Sequence, residues 1–271
     1  MNMARPDETP YRKPGDAVLV PQFQREKRRL SGKYLIRKLR AFSNLSDEKE
    51  RIIDAYASRR VAAIGPGSDI ISEGEDPKTV NLIVNGWACR YKTLEDGRRQ
   101  ILSFFIPGDL ADLHVYILSA IDHSIAALTP LRYALITPAE FEKLGDENPT
   151  VLRALWWDSL LTASIQREWL VTAGQRNALE SVSHLACELF IRMKMVGLVE
   201  NGRCDFPLTQ SDIADALGLT QPHVSRTIKE LNKTGIGTIK RGSLTVHDLA
   251  ALKNLAMFNP NYLHHLYEAA T

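Results

Sequence analysis

Between residues 209 and 228 the chain reads TQSDIADALGLTQPHVSRTI, and few folds accommodate that order of residues. Ala214, Gly218 and Val224 are spaced by four and then six, with Ile213, Leu217, Leu219 and Ile228 filling the intervals. The spacing predicts a helix, a three-residue turn and a second helix. Ala214 is small where two helices cross closely, Gly218 can take the left-handed conformation of a sharp turn, and Val224 packs into the angle between them. Thr209 is placed to cap the first helix with Asp212 near its start. Thr220 is placed to cap the second, where Pro222 is tolerated in the first turn. GIGTIKRGSLTVHD then predicts two short strands around Arg241 and Gly242, so the unit reads as a winged helix-turn-helix.

The second helix has an apolar face of Val224, Ile228 and Leu231 and a polar one of Gln221, His223, Ser225, Arg226 and Lys229. Arg226 can donate two hydrogen bonds to guanine O6 and N7, and Gln221 or Ser225 can reach bases near the helix N-terminus. Lys229, Lys233, Lys240 and Arg241 are suited to phosphates, which position a module without reading sequence. The candidate DNA-binding residues are therefore Thr209, Gln221, His223, Ser225, Arg226, Lys229 and Lys240. Net charge is only +2 over 271 residues, so nucleic-acid contact has to come from this local patch.

That length allows two domains, each with its own core. Residues 1–33, rich in proline and charge and including QREKRR, read as a poorly ordered N-terminal extension. Leu35, Leu39 and Phe42 then share a helix face, and Ser46 caps a second short helix. From Val61 to Ile136 the pattern changes to β-like runs such as VNLIV, WACRYKTL and RQILSFFI, cut by Gly67, Gly74, Gly86, Gly97 and Gly108. Asp96 and Gly97 between two runs signal a hairpin, and the strand spacing implies an antiparallel roll or sandwich within residues 34–147. Thr137, Pro138 and Glu140 carry a capping box for a short helix.

Residues 148–174 read as a long helix and hinge. Its apolar residues, among them Trp156, Trp157, Leu160, Leu161, Ile165 and Leu170, cover more than one face. A surface helix needs one apolar stripe, so the second is buried either within the subunit or, the reading we favour, in a dimer seam. The stretch AGQ (173–175) interrupts that helix, a new amphipathic one runs to Gly197, and residues 198–207 read as a polar loop. The DNA-binding domain spans 175–271.

In this order the parts resemble the Crp/Fnr superfamily of bacterial transcription regulators, from about Tyr34 to the end. The carrying stretches are ISEGEDPKTVNLIVNGWACRYKTLEDGRRQILSFFIPGDL (71–110) and LTQSDIADALGLTQPHVSRTIKELNKTGI (208–236). The resemblance implies an α+β fold of two domains: an antiparallel β-roll of the cyclic-nucleotide-binding type, a long dimerisation helix and a C-terminal winged helix-turn-helix. It also implies a homodimer on a two-fold symmetric DNA site. Ser225 and Arg226 keep the Ser-Arg pair of the Fnr branch. Pro222 and His223 stand near its acidic reader, so the half-site is expected to differ.

The sensor departs further from the family pattern. Where cyclic-nucleotide binders carry a ribose-holding Glu and a phosphate-holding Arg, this chain has Leu113 and the pair His123-Ser124. A histidine is mostly neutral at pH 7 and would leave a buried phosphate uncompensated, which speaks against cyclic AMP. Asp112, His123 and Ser124 are the candidate sensor residues. An iron-sulfur cluster needs thiolates, and the N-terminal region has no cysteine. Haem or another small effector stays open on His114 and His123, although lone histidines are more often core or surface residues.

Cys89, Cys187 and Cys204 are widely spaced and odd in number, which suits a reducing cytoplasm. They read as structural thiols more readily than redox switches. No apolar run is long enough to span a membrane, no metal site is indicated, and the chain carries no phosphate loop, HExxH or nucleophile elbow, so an enzyme is not expected. A module whose winged helix no longer reads DNA is the alternative, and it calls for an acidic or apolar recognition face. Activation or repression depends on where the site lies relative to a promoter, and contact with RNA polymerase follows only for an activator.

Overall fold

The structure, a computed structural model, describes residues 18–19, 32–111, 113 and 117–264. The glycine-punctuated region forms strands β2 (Val61–Ile64), β3 (Asp69–Ile71), β4 (Val80–Asn85), β5 (Ala88–Thr93), β6 (Arg99–Phe105), β7 (Leu110–Ala111), β8 (Ser124–Ala127) and β9 (Leu131–Ile136). With β1 (Val18–Leu19) they build two sheets, β1-β2-β9-β4-β7 and β3-β8-β5-β6, in which every pairing is antiparallel. The β5–β6 hairpin turns at Gly97, whose φ of 85° closes a loop with Leu94 accepting from the Gly97 amide. β1 corrects one expectation. Val18 pairs with Ala63, so this piece of the N-terminal extension is an edge strand, and the rest of residues 1–31 lies outside the described residues.

The strand pattern explains the roll's two layers of core. Ile83, Phe105, Ile125 and Leu131 are buried together, while Leu82 and Leu110 pack against Leu35 and Leu39 of α1 (Lys33–Arg40) and Ile53 of α2 (Asp47–Arg59). Burying each such side chain contributes about 1.5–3 kcal/mol. Gly108 is needed where it stands. It has φ 97°, and a Cβ there would lie 2.8 Å from the Tyr34 backbone, so the Pro107–Asp109 turn can sit on α1 only without a side chain.

α3 (Pro138–Glu147) starts at the expected capping box, with Thr137 Oγ1 accepting from the Glu140 amide. α4 runs from Pro149 to Gln175 and passes through Gly174 without a break, so the interruption expected at AGQ falls later. The helix ends at Arg176, which is extended, and α5 (Ala178–Met195) begins under a capping box of Asn177 and Glu180. A helical glycine costs only about 1 kcal/mol, whereas Asn177 offers the next helix a partner for its orphan amides. The cap therefore decides where the turn lies.

The C-terminal unit comprises β10 (Arg203–Asp205), α6 (Gln210–Leu217), α7 (Gln221–Lys233), β11 (Gly237–Lys240), β12 (Ser243–Val246), α8 (Leu249–Leu255) and a short 3-10 turn, Pro260–Leu263. Its sheet is ordered β10-β12-β11, so the segment read as a polar loop supplies a strand. Cys204 is buried and pairs with Leu244, while charged Arg203 and Asp205 on either side hid the alternation. Roll and C-terminal unit share one apolar core. Trp87 meets Phe206 at 6.4 Å between ring centroids, and α4 joins the same core, with its Trp169 5.7 Å from Phe104 of the roll.

Candidate nucleic-acid interface and sensor cavity

The helix-turn-helix forms as its spacing predicts. Gly218 takes φ 66°, ψ 29° and returns its amide to Ala214 O. Asp212 accepts from both the amide and the hydroxyl of Thr209 at the N-terminus of α6. Thr220 is extended at the start of α7, but its side chain makes no capping bond, contrary to expectation. Pro222 occupies the second helical position and has no amide to offer, which removes one of the two donors a cap would accept from.

Val224, Thr227, Ile228 and Leu231 are buried beneath α7. Gln221, His223, Arg226 and Lys229 are exposed and Ser225 is half-buried, so one polar, basic face looks outward. Thr209 and the wing residues Lys240 and Arg241 are exposed as well. The wing tip is a two-residue turn, with φ of 54° at Arg241 and 74° at Gly242 joining Lys240 to its partner Ser243. The face is neither acidic nor apolar.

On the roll, a cleft of about 590 Å³ opens between the sheet and α4. His123 and Leu113 line it, whereas Ser124 does not, since its hydroxyl accepts from the Glu73 amide at 2.9 Å. His123 Nδ1 lies 2.8 Å from Asp122 Oδ1. Asp112 and His114 lie outside the described residues. Arg90 of β5, not singled out from sequence, also lines the cleft. It is buried, with its guanidinium 5.3 Å from the Phe105 ring centroid. The signal was an arginine in the apolar first half of β5, between Cys89 and Tyr91.

α4 turns one face into its own subunit through Val151, Leu155, Trp157, Leu161 and Ile165. The other face leaves Trp156 55% and Leu160 65% exposed, with Leu170 at 74% further along the same side. No candidate cluster of metal-ligating side chains occurs among the described residues, and no helix there is long and apolar enough to cross a membrane.

Residues 62–148 match the cyclic nucleotide-binding domain family and residues 185–255 the Crp-like helix-turn-helix domain family. The nitrogen fixation regulation protein FixK of Bradyrhizobium diazoefficiens is 33% identical over 74% of this chain and 83% of its own length. The chain belongs to the Crp/Fnr superfamily of transcription regulators. The transcriptional activator protein FnrL of Cereibacter sphaeroides is 30% identical over 69% of this chain and 76% of its own. The solved structure of FixK2 from Bradyrhizobium japonicum superposes with a TM-score of 0.65 at 27% identity, covering 72% of this chain and 96% of that one. These relatives are regulators and not catalysts.

What joins the roll to α4 and α5 in this Crp/Fnr-type chain is a buried charge network that sequence did not reveal. Lys38 Nζ lies 2.9 Å from Asp109 and 2.8 Å from Asp158 of α4. Arg192 of α5 donates to Asp109 at 2.7 Å, to Glu188 at 3.2 Å and to Phe104 O at 3.0 Å. Glu188 also accepts from Trp169 Nε1 and from the Tyr262 hydroxyl. Burial pushes the Asp109 carboxyl up, but Lys38 and Arg192 outweigh it and hold the group below the usual range. At Asp158 and Glu188 burial prevails and both carboxyls lie above their usual range. A second link runs to the reader itself, where Arg99 of β6 bridges Asp212 and Asp215 of α6 at 2.9 and 2.8 Å. The three cysteines are buried with thiols pushed up to about 12 by burial, which suits structural roles.

Proposed function

We propose that this regulator works in the cytoplasm as a homodimer on a two-fold symmetric DNA site. α7 enters the major groove, Gln221, His223, Ser225 and Arg226 face base edges, and Thr209, Lys229 and Lys240 face phosphates. The observation that carries this reading is the outward polar and basic face of α7, with Arg226 exposed and in no ion pair among the described residues. An isolated reader helix would cover one half-site. The uncovered apolar stripe of α4, Trp156, Leu160 and Leu170, supports pairing with a second copy, since a monomer gains nothing from leaving such side chains in water.

The roll is the sensor in this reading, with the cleft beside His123 as the place a small effector enters. Cyclic AMP is not the expected one, because Leu113 is apolar and buried and the Ser124 hydroxyl already serves the Glu73 amide. Titrating the protein at fixed salt onto promoter fragments it selects from genomic DNA, against random DNA, tests the reader. Equal affinity for both would sink it. For the dimer, Leu160→Glu should halve the mass seen in sedimentation and abolish high-affinity binding to the full inverted repeat. A dimer that survives the substitution would exclude the α4 seam.

A further inference from the structure

We infer that Asn232, at the end of the recognition helix, is the positioning residue that sets the wing for DNA. This deepens the proposed reading, because it rests on the wing meeting phosphates. The Asn232 side chain reaches across to β11 and holds both backbone groups of one residue: its Nδ2 donates to Ile239 O at 3.1 Å, and its Oδ1 accepts from the Ile239 amide at 2.9 Å. β11 is the edge strand of the β10-β12-β11 sheet, paired on its other side with β12. The side-chain amide therefore stands where a further strand's backbone would stand, and ties that open edge to α7.

The consequence lies one residue on. Lys240 follows the clamped Ile239 directly, and Arg241 begins the tight turn at the tip, both exposed. Lys229 sits three residues before Asn232, one helical turn back on α7. A planar amide held by two bonds to the strand fixes the angle between the helix that reads bases and the strand that carries the wing cations. Asparagine suits this distance: an aspartate in its place would turn a carboxylate oxygen toward the Ile239 carbonyl, and an alanine would leave both edge groups to water. The reader's fold does not depend on the clamp, because Thr234 bonds Leu231 O and the Ile236 amide in the connection, and Ile236 O accepts from His247 and Asp248.

The test is a salt series of fluorescence-anisotropy titrations with the full chain and a duplex that the wild-type protein has itself selected from random DNA. Four further proteins are compared: Asn232→Ala, Asn232→Asp, the double variant Lys240→Ala/Arg241→Ala, and the triple variant that adds Asn232→Ala. Each phosphate left unneutralised lowers the slope of log affinity against log salt by about 0.9. Asn232→Ala and Asn232→Asp are expected to weaken binding by about 3- to 10-fold and to lower the slope by about one, with the ratio between matched and mismatched half-sites unchanged. The triple variant is expected to equal the double, since the clamp acts only through the wing cations. A merely structural role would instead weaken every background alike, so an additive loss in the triple variant overturns the inference, as does a wild-type slope in Asn232→Ala. If the double variant keeps wild-type affinity and slope, the wing does not meet phosphate, and the reading beneath the inference fails with it.

Discussion

The reader and the junction use the same residue types for opposite ends. On α7 and the wing, Arg226, Lys229, Lys240 and Arg241 are exposed and none is in an ion pair among the described residues. At the junction of roll, α4 and α5, Lys38 and Arg192 are buried and each lies between two carboxylates. Desolvating an ion costs several kcal/mol unless partners compensate it, so the junction cations have to be answered within the chain. Exposed cations keep their hydration until a phosphate arrives and releases counterions. Surroundings, and not residue type, decide whether an arginine holds the protein together or reads another molecule.

The contrast can be broken at its buried end first. Arg192→Ala leaves Asp109 and Glu188 without their shared cation, and should cost about 3–5 kcal/mol of stability in urea unfolding. A loss below about 1 kcal/mol would mean that water enters the junction and that its burial is not what makes it strong. At the exposed end, Arg226→Ala should leave unfolding unchanged, weaken DNA binding by about 1–3 kcal/mol and blur one base position. A stability change there, or a loss equal on all sequences, would erase the distinction between reading and holding.

A third test uses pH. His184 of α5 is buried against Phe258 and Tyr262 at 5.2 and 5.8 Å, with Nε2 unbonded and 3.5 Å from Glu168 Oε1. Burial first, and Arg176 second, push its imidazole down to about 3, and Arg176 also pairs with Glu168, which limits that carboxylate's pull on the ring. The unfolded chain takes up a proton as pH falls through 6.5 while the folded chain stays neutral until about 3, so stability is lost on acidification across that window. His184→Phe keeps the ring contacts and should be up to about 2 kcal/mol less sensitive to a shift from pH 7 to pH 5. Parallel pH profiles for the two proteins would show that Glu168 does reach the ring. The smallest effect is expected from Lys229→Ala, which should weaken all DNA about equally and lower the salt slope by about one, with no change in unfolding.

The helix-turn-helix was legible because it is local. Ala214, Gly218 and Val224 each answer a steric demand made by residues within a few positions, and Thr209 and Asp212 cap one another across a single turn. The hairpin at Gly97 and the cap at Thr137 are of the same kind. Thr220 makes no capping bond, Pro222 having removed one of its two possible donors, and the break at AGQ misled because glycine weakens a helix less than the Asn177 cap rewards a new one.

The candidate site divides along the same line. That Gln221, His223, Arg226 and Lys229 share a face follows from helical periodicity, and their exposure follows from the apolar face opposite. Ser124 was misplaced because alternation along β8 does not say which neighbouring loop will claim a hydroxyl, and Glu73 claims it. Arg90 escaped because its meaning depends on the cleft that α4 closes against β5.

Sequence alone therefore determined the order of parts, the kind of fold and the outward polar face of α7, since periodicity, glycine conformation and caps act over a turn or a strand. Only the tertiary structure decided that Lys38, Asp109, Asp158, Glu188 and Arg192 meet, and that Asn232 ties the helix to the wing. The charge network spans positions from 38 to 192, and whether such groups pair depends on distances across the core that no local pattern encodes.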